Sequence, residues 1–156
     1  MKFSTREDID APIDHVFAKV SDFAGFERRA LRQGAQIKRL DDGPAQIGSI
    51  WEAALKFRGR ERRIQATLSA LQPPETYRVH TLSDGLTAET QLELIALSPT
   101  RTRVILMIDL RARTLTARLL LQSMKLAKGK LTKRFKARVL EFAEDIEDAY
   151  RKGAQG

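Results

Sequence analysis

The sequence predicts an α+β domain, a seven-stranded antiparallel curved sheet wrapped around a long C-terminal helix, and three observations carry that prediction. Apolar and polar residues alternate with period two through the middle of the chain. Helical spacing is confined to the two ends, and turn residues separate the alternating stretches at short intervals. With 156 residues the chain is long enough to bury a core of its own without a disulfide or a metal.

Taken in order, Lys2 to Ile9 is the first strand. Pro12 then sits where a first helical turn tolerates it, and Ile13, Val16, Phe17 and Val20 recur at helical spacing. A second short helix, around Phe23 to Leu31, follows Asp22. Ala35 to Leu40 makes the next strand. Trp51, Ala53, Leu55 and Phe57 alternate with Glu52, Ala54, Lys56 and Arg58, as a strand with one buried face requires. Arg58-Gly59-Arg60 turns the chain into Ile64, Ala66, Leu68 and Ala70, which repeat the pattern until Pro73-Pro74 stops it. Thr76 to Leu82 follows, and Asp84-Gly85 is a hairpin dipeptide. Ala88, Thr90, Leu92 and Leu94 form the sixth strand, and Thr102, Val104, Leu106, Ile108 and Leu110 form the seventh after the turn at Ser98-Pro99-Thr100.

The C-terminal stripe runs Leu120, Met124, Ala127, Leu131, Phe135, Phe142, Ile146 and Ala149. An unbroken helix from Leu115 to Tyr150 would be ~54 Å long, more than a domain of this size spans, so a bend or break near Gly129 is expected. Residues 1–152 read as a single domain and residues 153–156 as a frayed tail.

Composition removes whole classes of function. There is no cysteine, which excludes disulfide frameworks, thiolate metal sites and cysteine nucleophiles. No stretch approaches the ~20 apolar residues of a membrane span and the N-terminal residues have no signal-like apolar core, so a cytoplasmic protein is expected. The formal net charge is +8, and it is local. Between Leu110 and Leu140 stand ten Lys or Arg and no acid, while the rest of the chain holds 18 bases against 20 acids.

One helix cannot fill the concave face of a seven-stranded sheet, so a gap between sheet and helix is expected on packing grounds. The segment from Ile9 to Phe23 (Ile9-Asp10-Ala11-Pro12-Ile13-Asp14-His15-Val16-Phe17-Ala18-Lys19-Val20-Ser21-Asp22-Phe23) resembles the opening of the SRPBCC superfamily. Gly48-Ser49-Ile50-Trp51, Pro73-Pro74 and the closing helix also fall where that superfamily has a glycine-led strand, a proline turn and a cavity-covering helix. The resemblance spans essentially the whole chain and implies a helix-grip fold with an apolar cavity. It does not select a function, because the superfamily includes START lipid-transfer domains, polyketide cyclases, pollen allergens, coenzyme Q-binding proteins and chaperone co-activators.

Inward parity assigns Trp51, Phe57, Tyr77, Leu92, Leu106 and Ile108 to the concave face, with Leu131 and Phe135 opposite on the helix and Phe23 and Phe26 near the mouth. The bland alternative for each is ordinary core packing. Arg138 falls on the apolar stripe, where a charge must be paired or must reach water past its stem. Its guanidinium is a snorkelling cation, a structural ion-pair partner or a clamp for a ligand carboxylate or phosphate. His15 and His80 both lie off the apolar faces and are expected to face solvent. No histidine–carboxylate spacing indicates a metal, no cofactor is expected, and no catalytic group stands out; Tyr77, or Glu52 with strand parity shifted by one, would be the acid–base candidates.

Lys125, Lys130, Lys133, Arg134 and Lys136 share a broad basic face, with Leu115, Leu119 and Leu126 on the same side. Such a face is either a solvated surface or a contact for an anionic membrane, an acidic partner or, through its leucines, a second copy of the chain. Nucleic acid is disfavoured, because no aromatic side chains interleave with the bases to stack on nucleobases. The reading favoured is binding, with transport as an extension, of a hydrophobic or amphipathic small molecule such as a lipid, quinone or aromatic metabolite. Two alternatives stand beside it: a cyclase- or dehydratase-type enzyme on a polyketide-like substrate, and a docking protein acting through the basic helix.

Overall fold

The computed structural model describes residues 1–57 and 59–155, without the side chains of residues 57 and 155; the turn residue Arg58 and the lining role expected of Phe57 therefore lie outside the described residues. The elements follow as β1 (Lys2–Ile9), α1 (Ile13–Val20), α2 (Phe23–Arg32), β2 (Gln36–Arg39), β3 (Ile50–Phe57), β4 (Arg60–Gln72), β5 (Thr76–Ser83), β6 (Leu86–Ser98), β7 (Arg101–Ala112), α3 (Leu115–Leu126) and α4 (Lys128–Gln155). The strands form one antiparallel sheet in the order β1-β7-β6-β5-β4-β3-β2. Successive strands pair as hairpin neighbours, and β1 closes the far edge against β7, with Phe3 opposite Ile108. This is the seven-stranded antiparallel sheet that the alternation pattern predicted, in the helix-grip arrangement that the resemblance implied.

Parity holds across the centre of the sheet. Tyr77 stands opposite Leu92, and Leu92 opposite Leu106, so three strands deliver one row of side chains to the concave face. It shifts in β4, where a bulge falls between Leu68 and Ala70. Ala70 then pairs with Arg78 and turns outward, while Leu71 pairs with Tyr77 and packs on the core. The inward position expected for Ala70 is corrected accordingly, since one extra residue in a strand exchanges its two faces.

Local chemistry sets the helix starts. The Asp22 carboxylate accepts from the Gly25 N–H at 3.1 Å to cap α2, and the Thr114 hydroxyl accepts from the Ala117 N–H at 3.2 Å to cap α3. The C-terminal stripe breaks at Ala127, two residues before the expected Gly129, which lies inside the first turn of α4. Ala127 does both jobs at the joint: its N–H donates to the Met124 carbonyl at 3.0 Å, and its carbonyl accepts from the Leu131 N–H at 3.0 Å. The chain can thus turn without orphaning backbone groups. At the other end α4 is helical through Gln155, three residues into the segment expected to fray.

The core lies where α1, α4 and the concave face meet, centred on Ile9, Val16, Val20, Leu68, Leu94, Val104 and Ile146. Thr102 is fully buried and its hydroxyl donates to the Ala11 carbonyl at 2.9 Å, which ties β7 to the β1–α1 turn. Among the described residues no helix is long and apolar enough to cross a membrane.

Candidate functional site

Between the concave face and α4 the chain leaves a cavity of about 420 Å³. Tyr77, Thr90, Leu92, Val104 and Leu106 form its floor, Ile9 and Val20 one end, and Phe135, Val139, Phe142, Ala143 and Ile146 of α4 its roof. The roof residues recur at i, i+4, i+7, i+8 and i+11, the spacing that keeps one helix face turned to one surface. Phe26 and Arg29 of α2 and Arg138 of α4 complete the lining. A larger hollow of about 540 Å³ lies over β2–β5, but Lys38, Glu52, Glu61, Arg63 and Asp84 line it, so it offers an apolar molecule little.

The mouth is built from aromatic rings and guanidinium groups. The rings of Phe26 and Phe142 approach to 6.0 Å across the α2–α4 gap. The Arg29 guanidinium carbon lies 5.8 Å from the first ring and 5.7 Å from the second, within cation–π range of both. Arg29 and Arg138 are exposed, and neither has a carboxylate partner among the described residues. Among the described residues they are the only charged groups in the lining.

Six of the residues assigned to the site from sequence, Phe26, Tyr77, Leu92, Leu106, Phe135 and Arg138, come together around this cavity. Others pack near it instead. Trp51 is buried behind Phe23, with ring centroids 5.5 Å apart, and its indole N–H donates to Glu27. Phe23 is wedged between Trp51, Phe26 and Tyr77. Ile108 faces the concave side beside Phe3, and Leu131 is half-buried one turn before Phe135; neither lines the cavity. Sequence reasoning missed Ile9, Val20, Arg29, Thr90, Val104, Val139, Phe142, Ala143 and Ile146. The roof positions were legible in the α4 periodicity. Arg29 was not, because nothing local orients α2 over the sheet.

The Tyr77 hydroxyl donates to the Val20 carbonyl at 2.6 Å, and burial holds its pKa far above the usual phenol value. Among the described residues the Thr90 hydroxyl has no partner, and it is the one uncommitted neutral polar group of the lining. Neither histidine reaches the cavity. His15, expected to face solvent, is half-buried: its Nε2 lies 3.3 Å from the Ile146 carbonyl and its ring meets Tyr150 edge-on at 5.0 Å, so it joins α1 to α4. His80 is half-exposed on the convex face, bonded to Glu89. Glu52 is exposed and points away from the cavity. No group of three or more acidic or imidazole side chains is placed to hold a metal ion among the described residues.

Lys125, Lys130, Lys133, Arg134 and Lys136 are all exposed. Leu115, Leu119 and Leu126 stand beside them at 73%, 58% and 93% exposure.

The sequence matches no family model and no curated protein. Solved structures do match. The Zhui aromatase/cyclase from Streptomyces sp. R1128 superposes with a TM-score of 0.65 at 14% identity, covering 94% of this chain and 93% of its own. Ara h 8.0201 superposes with a TM-score of 0.60 at 11% identity over 97% and 98%. A START superfamily protein from Mycobacterium smegmatis gives 0.54 at 15% identity over 85% and 95%. These likenesses show that the chain has the fold of these proteins, a curved antiparallel sheet gripping a C-terminal helix, which is the fold that the resemblance of the segment from Ile9 to Phe23 implied.

Proposed function

We propose that the cavity beneath α4 binds an amphipathic small molecule in the cytoplasm, burying its apolar body against the β5–β7 floor and leaving its polar end at the mouth beside Arg29 and Arg138. The observation that carries this reading is the lining itself: apolar throughout except for one free hydroxyl, one committed hydroxyl and two unpaired guanidinium groups. A volume of about 420 Å³ falls within the range of small-molecule pockets, roughly 300–1,000 Å³. Apolar burial at ~25 cal/mol per Å² supplies most of the affinity. The guanidinium forks select the head group, since they match a carboxylate or phosphate bidentately. An aromatase/cyclase and a START superfamily protein share the fold, which is consistent with a lipid-like or aromatic guest.

The cyclase alternative draws less support from the lining. It contains no carboxylate and no imidazole, and its one phenol is already donating. General acid–base work requires a group that can give or take a proton near neutral pH.

The test is a displacement titration with a long-chain carboxylate and the alcohol of equal length. Arg29→Met with Arg138→Met is expected to weaken the carboxylate by about tenfold, the scale of one charge-assisted hydrogen bond, and to leave the alcohol unchanged. Equal losses for both would assign the arginines to packing.

A further inference from the structure

Helix α3 has two apolar faces, and the fold covers one of them. Ala117 and Leu121 are buried against the rest of the domain. At 100° per residue, Leu115, Leu119 and Leu126 fall within about 40° of one another, roughly opposite that pair. They are the three most exposed leucines of the helix, and Leu126, at 93% exposure, stands at the α3–α4 corner where Ala127 breaks the helix.

The surroundings of the exposed face are cationic. Arg118 and Lys125 flank it about 60–80° to one side, and Lys128 and Lys130 continue past the corner. All four are exposed, and none has an acid partner among the described residues. No acid occurs between Asp109 and Glu141, so nothing local offsets them.

We propose that this face of α3 docks on an anionic lipid surface, with Leu115, Leu119 and Leu126 entering the acyl boundary and the flanking bases meeting the head groups. Charge decides the occupant. A second copy of the chain would bring one set of unpaired cations against another, so self-association is opposed by the groups that surround the leucines. Nucleic acid would satisfy the cations and leave the leucines in water. An anionic bilayer satisfies both, since it offers apolar depth beneath a negative surface. The inference is independent of the cavity, because the face can be read with no ligand present.

The experiment is co-sedimentation of the full chain with vesicles of phosphatidylcholine alone and of phosphatidylcholine mixed with phosphatidylglycerol. Binding is expected to the mixed vesicles only, and to fall as salt screens the head groups. Leu119→Ser with Leu126→Ser should weaken partitioning by at least about a hundredfold, the scale of two leucine side chains returned to water. Lys125→Gln with Lys130→Gln should weaken it by about fivefold per cation removed. All four positions are exposed, so the variants keep the wild-type circular dichroism. The proposal is overturned if the wild type stays in the supernatant with the mixed vesicles, or if the leucine variant sediments as fully as the wild type. It is overturned equally if light scattering shows a dimer that Leu126→Ser dissolves.

Discussion

Tyr77, in the cavity floor, donates its one hydroxyl hydrogen bond to the last carbonyl of α1, that of Val20, at 2.6 Å. This bond makes Tyr77 a wall and a strut, because the lone phenol in the lining is committed to holding a helix end over the sheet. Tyr77→Phe should destabilise the fold by ~1–2 kcal/mol through the unpaired carbonyl, a fall of several degrees in Tm, while leaving ligand affinity unchanged. Thermal melts and one titration check it. The raised pKa adds a pH signature: stability is intact below the ordinary phenol value near 10 and declines as pH rises above it, because the unfolded chain ionises first.

Gly85 closes the β5–β6 hairpin directly against the cap of α3. Its φ is 78°, and a Cβ there would meet the Thr114 hydroxyl oxygen at 2.5 Å. Gly85→Ala therefore strains a turn and displaces a helix cap together. A loss of about 1–2 kcal/mol in denaturant unfolding is expected, with the helical signal of α3 reduced first.

The β2–β3 connection is pinned by one carboxylate. Asp41 receives Arg39 bidentately, at 3.0 and 2.8 Å, and the Ser49 hydroxyl at 2.7 Å. The Arg39 hydrogen bonds first, and that of Ser49 next, hold its carboxyl well below the usual carboxylate range. Its contribution to stability is therefore complete above about pH 4 and lost as pH falls further, where the unfolded chain takes up the proton first. Asp41→Asn should be less stable than wild type at neutral pH, and the gap should narrow on acidification. Paired urea titrations across that range measure it.

Most of the fold was legible because alternation and helical spacing report directly on which side of an element is buried. The row Tyr77, Leu92, Leu106 follows from parity alone. Parity does not encode depth, which is why Trp51 has the inward direction and still ends behind Phe23, two rings away from the cavity. Nor does it survive a bulge, as Ala70 and Leu71 show. His15 was missed for a different reason: its partners, Ile146 and Tyr150, lie more than 130 residues away in the chain and only tertiary packing brings them together. The exposed leucines of α3 were readable because their helix carries more apolar residues than one buried face can use.

Native mass spectrometry of freshly purified wild type beside Leu106→Trp shows whether the space beneath α4 is a binding cavity. Leu106 is half-buried in the cavity floor, so an indole there narrows the space between floor and roof with little disturbance of the core. The wild type should carry, or take up from a panel of long-chain acids, quinones and polycyclic aromatics, one molecule per chain, and Leu106→Trp should hold it at lower occupancy. A wild type that takes up no member of the panel, or a Leu106→Trp variant that binds as the wild type does, would contradict the account.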